Sequence, residues 1–469
     1  MRTSVLCVLL VLAGCGSSDD EGRDASMGDA EIPTPGPPGP PGCGLAAAAF
    51  CDPFDAPSSS GDRAGELGPL WSGARTTPTL PAGGDVIAIR PATLPLCRVG
   101  LPAAVLPDQD TLICDTISSL QSNHLLVAAA AQNYGQNSYR IRRPFDVAAR
   151  TGTITFDASL EPGGLLGWVA VAVTAEPTPA PSYNWVQNDE NAGVPRDGIE
   201  IHFNQNCQVE GQVSVNRIIV IDDYVQTFIE PSFEERGCVP MLPGALNRVE
   251  VRLSTSHVEV WGSPASTDGI TFGPLERMAA ADIALPFTRG YVHLTAHNHA
   301  TLKYSDETVD AWVVRFDNVG FDGPVIERFR EAEVPDSRTA GSDGSMNVGY
   351  LLGDLATDDW GDPLDFSSID VTGATTARIA LTAWIGLGEP RDYVLNYRIN
   401  GGTAHTYRLD AEQLAFIDSK VVQGTMPFVL EVDPSELHSG VNSIAFATTD
   451  VPMAYPPIAY NVELVVEVP

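Results

Sequence analysis

Apolar and polar residues alternate with a period of two through much of this chain. Thr151, Thr153, Thr155 and Asp157 alternate with Gly152, Ile154, Phe156 and Ala158, and Ile199, Ile201 and Phe203 alternate with Glu200 and His202. Side chains two apart on a strand share a face, so each run predicts a strand. Trp168 to Thr174 is a run of small and branched apolar residues that predicts another. A hairpin follows: Val249, Val251 and Leu253 alternate with Glu250 and Arg252, Ser254-Thr255-Ser256 turns, and Val258-Glu259-Val260-Trp261 returns. Beyond Val348 the same grammar resumes. Arg378 to Ile385 is a strand signal, Tyr393 to Ile399 turns at Asn400-Gly401-Gly402 into Ala404 to Leu409, Ile444-Ala445-Phe446 continues, and Asn461 to Val468 closes. Helix is expected only at Leu275 to Ile283 and at Ala411 to Ser419, where Asp410 and Gln413 are spaced as a capping box. Many short strands between Gly/Pro turns predict an all-β chain of two β-sandwich, jelly-roll domains.

From Cys43 onward about 425 residues remain, more than one hydrophobic core normally serves. The seam is expected between Pro324 and Met346, where strand patterning gives way to polar sequence, giving domains over 43–324 and 325–469. Ahead of them, residues 15–42 pass from an acidic run (Asp19, Asp20, Glu21, Asp24) to Gly36-Pro37-Pro38-Gly39-Pro40-Pro41-Gly42. Such sequence cannot bury a core and reads as a self-repelling, polyproline-stiffened, disordered tether. At the very start, Arg2 precedes an apolar run from Val5 to Val11 and then Leu12-Ala13-Gly14-Cys15. This resembles a bacterial lipoprotein signal peptide over residues 1–14, which implies cleavage before Cys15 and acyl chains on its thiol. By the same resemblance Gly16, which is not an Asp, implies sorting to the outer membrane of the cell envelope.

Charge narrows the partners. The sequence holds 27 basic and 60 acidic residues, a net charge of −33, and loss of Arg2 with the signal makes it −34. Nucleic acid is thereby excluded as a partner, and bare anionic lipid repels the chain, so membrane attachment rests on the acyl chains. Once Cys7 leaves and Cys15 is acylated, six cysteines remain in an oxidising compartment. Fifteen pairings are open, and sequence proximity favours Cys43–Cys51, Cys97–Cys114 and Cys207–Cys238.

Residues 45 to 324 resemble the concanavalin A-like lectin/glucanase (laminin-G-type) sandwich. The likeness is carried by Phe50-Cys51-Asp52-Pro53-Phe54-Asp55, the Asn247 to Trp261 hairpin and Trp312-Val313-Val314-Arg315-Phe316-Asp317-Asn318-Val319. The C-terminal domain is similar to galactose-binding-type or carbohydrate-binding-module jelly rolls, on the strands from Arg378 onward and Leu437-His438-Ser439-Gly440-Val441-Asn442. These resemblances imply glycan binding or packing against a neighbouring domain.

The Glu-x-Asp-x-x-Glu pattern of glucanases is absent; Glu200 with His202 is its nearest echo, on what reads as a solvated strand face. Tyr291 to His299 places His293, His297 and His299 on one strand face. Strand geometry sets His293 roughly 13 Å from His297 but His297 only about 6.6 Å from His299, so the last two could share an ion with Glu307 or Asp310. Calcium is the alternative cofactor, at Asn188-Asp189-Glu190-Asn191 or at Asp358, Asp359, Asp362 and Asp365. Asn133 and Tyr134 open a segment rich in amides and phenols, groups suited to sugar hydroxyls and pyranose faces. No nucleophile elbow, Walker loop or His-Glu-x-x-His helix occurs, and no catalytic residue is assigned. The expectation is a non-catalytic, lipid-anchored envelope protein that binds neutral glycan or another envelope component. Its rivals are a glycoside hydrolase or lyase with an unfamiliar acid pair, and a purely structural envelope lipoprotein.

Overall fold

A computed structural model describes residues 43–54, 70–76, 111–114, 124–129, 136–147, 150–160, 167–177, 195–204, 212–229, 239–240, 247–263, 272–298, 312–322, 329–334, 338–340, 346–348, 350–351, 353–385, 394–418, 424–448 and 458–469. Strand dominates them, and the strands form two β-sandwiches. In the first, one sheet runs in the order Glu276–Asp282, His257–Ser263, Asn247–Leu253, Gly152–Leu160, Trp312–Phe321, His124–Ala129, Thr111–Cys114, with Phe50–Asp52 also paired to Trp312–Phe321. The facing sheet runs Val225–Ile229, Gln212–Asp222, Gly198–Asn204, Gly167–Thr174, Arg289–Asn298, Gln136–Ile141, Trp71–Thr76. Ile154, Phe156, Val249 and Val260 from one sheet meet Val171, Ile201, Phe203 and Leu294 from the other in one core. Period-two alternation therefore places the apolar sides inward, as it must when two sheets share a core.

The helix expected at Leu275 to Ile283 is instead the strand Glu276–Asp282. Its alanines favour helix, but pairing along His257–Ser263 and burial of Met278 and Ala279 override that preference. The second expected helix forms as Ala411–Asp418. There Asp410 Oδ1 accepts from the Gln413 backbone N–H at 2.8 Å, and Gln413 Oε1 accepts from that of Asp410 at 3.0 Å, a closed capping box.

The second sandwich pairs a sheet ordered Phe329–Glu333, Ile458–Glu467, Thr376–Ile385, Gly424–Val432 with one ordered Gly353–Asp354, Ser443–Thr448, Val394–Ile399, Ala404–Arg408. Leu364–Asp365 pairs with the other end of Ser443–Thr448. Ile379, Leu381, Leu430 and Leu464 face Leu395, Ile399, Ile444 and Phe446 across its core. The turn after Val394–Ile399 has positive φ at Asn400 and Gly401, 50° and 68°, which suits the right-handed twist of the two strands that it joins.

Candidate functional site

The outer face of the first sandwich's nine-stranded sheet carries a polar row. Ser72, Arg140, His293, Ala172 and Glu200 are successive register partners across five strands. The expected solvated face is not solvated: Glu200 and His202 are 2% and 1% exposed, and His293 is 0% exposed. Glu200 Oε2 lies 3.2 Å from His202 Nε2, and His293 Nε2 lies 2.9 Å from Thr174 Oγ1. Burial, aided by the charge of Arg140, holds the His293 imidazole well below its ordinary pKa, so it is neutral. Ala172 stands between His293 and Glu200 in register, so the structure joins Glu200 to His202 but keeps His293 a strand away.

Where the contacts over this face are described, they come from the second sandwich. Glu333 and Glu463 are cross-strand partners there, and Glu331 shares their face two residues along. Three carboxylates so close repel one another unless cations intervene. Arg140 supplies one, donating to Glu331 Oε1 and Oε2 at 3.0 and 2.7 Å and to Glu463. Arg142 supplies the other, reaching Glu333 at 3.1 Å and Glu331 at 3.7 Å. Ser72 Oγ also donates to Glu463, and the guanidinium of Arg140 sits 4.9 Å from the Tyr291 ring centroid. Burial lowers the pKa of Arg140, but Glu331 and Glu463 outweigh it and the net shift is upward. Glu331 is pushed above the usual carboxylate range, by burial first, against the pull of Arg140. A second contact stands at the far end of the sheet, where Arg196 meets Asp410 at 3.2 Å and Tyr224 joins the second sandwich's core.

The opposite sheet holds another buried carboxylate pair. Asp157 and Asp317 are register partners, 0% and 2% exposed. Arg248 grips Asp157 through two bonds of 2.8 and 3.0 Å. Asn318, at φ 50° in the irregularity between Asp317 and Gly320, swings its Nδ2 to within 2.8 Å of Asp157 Oδ2. Burial still leaves Asp157 above the usual carboxylate range. Both carboxylate groupings are closed structures held by arginine.

Outward sheet faces carry aromatic rings. Trp261 is half-buried under the Arg252 guanidinium, 4.7 Å from its centroid; its Nε1 donates to Glu259 at 3.0 Å, and Arg252 pairs with Glu250 at 3.1 Å. Trp360 is likewise half-buried, with the Arg398 guanidinium 4.7 Å from its centroid. It lies in the loop of the second sandwich between Gly353–Asp354 and Leu364–Asp365. Asp359 Oδ1 accepts from the Gly361 N–H at 2.8 Å to fix that loop, and a Cβ on Gly353 would stand 2.5 Å from the Trp360 backbone. Sequence reasoning passes over both tryptophans as ligand groups; Trp360 lies within the acidic loop read for calcium, and an aromatic among exposed aspartates is the available signal.

The remaining expected residues divide simply. Asp358, Asp359, Asp362 and Asp365 are exposed, and among the described residues no three His, Cys, Asp or Glu side chains are grouped to hold a metal ion. Cys43 and Cys51 are disulfide-bonded with their Cα atoms 5.8 Å apart. Cys114 ends a described strand, and His297 pairs by its backbone with Gln136 and Trp168, but their side chains lie outside the described residues. So do Cys15, Cys97, Cys207, Cys238, Asn133, Tyr134, His299, Glu307, Asp310 and the 188–191 loop.

No protein-family profile and no curated protein matches the chain. Among solved structures, the VIP36 exoplasmic/lumenal domain bound to Ca2+ and Man3GlcNAc is 11% identical, over 55% of this chain and 86% of that one, with a TM-score of 0.29. LamA of Z. galactanivorans, solved with laminaritriose and laminaritetraose, is 12% identical over 59% of this chain and 98% of that one, at a TM-score of 0.34. Lectin II from Ulex europaeus is 10% identical over 45% of this chain and 89% of that one, at a TM-score of 0.28.

Proposed function

We propose that the protein is a lipid-anchored component of the bacterial cell envelope that binds saccharide without cleaving it. The observation that carries the reading is the division of labour among its polar groups. Among the described residues Asp157 is locked by Arg248, Glu331 and Glu463 by Arg140, and Glu200 is closed in against His202, whereas half-buried Trp261 lies on an outward sheet face and half-buried Trp360 in a loop beside Arg398. Glycoside cleavage needs two carboxyl groups reached by substrate, one able to give up a proton and regain it. Groups closed from solvent and clamped by guanidinium do neither. A flat aromatic face beside polar side chains, in contrast, stacks on a pyranose and orients its hydroxyls. Acyl chains on Cys15 and the 15–42 tether would hold such a surface away from the membrane.

The test is incubation of the acylated full-length protein with neutral oligosaccharides, followed by separation of bound, free and cleaved sugar. Retention of intact sugar is expected. Accumulating cleavage products would establish the hydrolase or lyase instead, and failure to retain any saccharide would leave a structural envelope protein.

A further inference from the structure

We infer that the saccharide seat is the outer face of the second sandwich around Trp360, Arg398, Asn396 and Thr406, and that its ligand is a neutral, hydroxyl-rich pyranose chain. This inference rests on the saccharide-binding reading above and assigns it a place. Two tryptophan–guanidinium pairs compete for the role, and their hydrogen bonds separate them. At Trp261 the indole N–H is taken by Glu259 and the guanidinium is charge-paired with Glu250, so the indole donor is spent and the cation is already neutralised. At Trp360 the indole N–H has no partner among the described residues, and Arg398 pairs with no carboxylate there. Unused donors beside an aromatic face are what a sugar hydroxyl requires.

The fold assembles the seat from three directions. Register places Thr406 opposite Asn396 and Asn396 opposite Ala447, while Arg398 is opposite Ala445. Core residues Leu395, Tyr397 and Ile399 point the other way, so Asn396 and Arg398 share the outward face. Small Ala445 and Ala447 are buried on this face, and the loop from Leu355 to Pro363, packed against Gly353 beside Ala447, brings Trp360 to Arg398 at its margin. Asn396 is itself buried and acts as a brace: exposed Thr406 donates to its Oδ1 at 2.8 Å, which orients the hydroxyl and leaves its oxygen free to accept. Gly353 makes the approach of the loop possible, because its missing side chain is where the backbone of Asp359 to Gly361 rests. Charge then selects the class of sugar. Asp358, Asp359 and Asp362 lie within two residues of Trp360 and are exposed, so uronate or sulfate groups meet net repulsion despite Arg398. Neutral hydroxyls meet none.

Titration of the acylated full-length protein with a panel of gluco-, manno-, galacto- and xylo-oligosaccharides tests the assignment, alongside the variants Trp360→Ala, Arg398→Gln and Thr406→Ala. Thr406 is exposed, so its variant serves where Trp360→Ala fails to fold, and thermal unfolding of each variant reports that directly. Trp360→Ala is expected to weaken binding by about ten-fold, the scale of one lost stacking contact, and the other two by several-fold. Wild-type binding that survives undiminished in all folded variants would overturn the placement while leaving saccharide binding intact. No binding by the wild-type protein to any sugar of the panel would instead overturn the reading on which it rests.

Discussion

Replacing Arg140 by Met should be among the most damaging single changes available to this chain. The guanidinium is buried between the sandwiches and donates twice to Glu331 and once to Glu463, whose side chains are also buried. Met is also unbranched and apolar but returns no hydrogen bonds, so two buried carboxyl groups lose their shared cation beside a third, Glu333, while Arg142 stays against Glu331 and Glu333. Breaking a buried pair from one side costs about 3 to 5 kcal/mol. If the two sandwiches unfold as one unit, that lowers the melting temperature by on the order of 5 °C, because unfolding entropy grows with chain length. The pH dependence distinguishes this mechanism from simple loss of packing. Burial raises Glu331 in the folded protein, so its contribution to stability is fully present below its ordinary pKa and is lost as pH rises through the raised value. Without Arg140, whose charge pulls Glu331 down, that carboxyl holds its proton to still higher pH. The penalty for Arg140→Met is therefore greatest near neutrality and shrinks on acidification toward about pH 4.5, where the groups take up protons in folded and unfolded chains alike. Replacing Arg140, Glu331 and Glu463 together by Met, Leu and Leu should restore most of the loss, because the desolvation cost leaves with the charges. Thermal and denaturant unfolding from about pH 4.5, near the ordinary carboxyl value, up to neutrality provides the readout. A penalty below about 1 kcal/mol, or one that does not change with pH, would refute the account of the cluster.

Cys15→Ala should release the protein from membranes with its sandwiches intact, since acyl chains at about 0.8 kcal/mol per buried CH₂ dominate attachment; fractionation followed by circular dichroism reads both. Gly353→Ala should cost about 1 to 3 kcal/mol and displace Trp360, detectable as a shift in tryptophan emission, because the new Cβ collides with the Asp359 to Gly361 backbone. Cys43→Ser with Cys51→Ser should cost about 2 to 3 kcal/mol by the loop-entropy estimate for so short a loop, measured by denaturant unfolding. Non-reducing peptide mapping should find Cys97, Cys114, Cys207 and Cys238 oxidised as well; free thiols there would contradict an oxidising compartment.

The sandwiches are legible in the sequence because each strand has to bury one side. Val249, Val251 and Leu253 are buried while Glu250 and Arg252 face out, in the phase set by the alternation, and the Asn400-Gly401 turn follows from φ alone. Glu276–Asp282 reads as helix because an alanine-rich segment carries a local preference that a neighbouring strand overrides. The burial of Glu200 and His202 is invisible for a different reason. Alternation reports which residues share a face, and it cannot report that a sheet of a second sandwich packs against the polar face. That contact depends on Glu331, Glu333 and Glu463, brought together only when two distant strands pair, and on Arg140 from the other sandwich. Trp360 is hidden likewise: its aspartates suggest a cation, and only the register that turns Arg398 outward shows what lies beside its ring.

The most direct test of the central claim is a glycan array probed with the acylated full-length protein at about 0.05 M and about 0.5 M salt, a range over which long-range charge effects are screened away. Saccharide binding by stacking and hydroxyl hydrogen bonds predicts that neutral glycans rank first and keep their rank at both salt concentrations. Binding led by heparin-like polyanions that vanishes at high salt, or no glycan retained at either concentration, would contradict it.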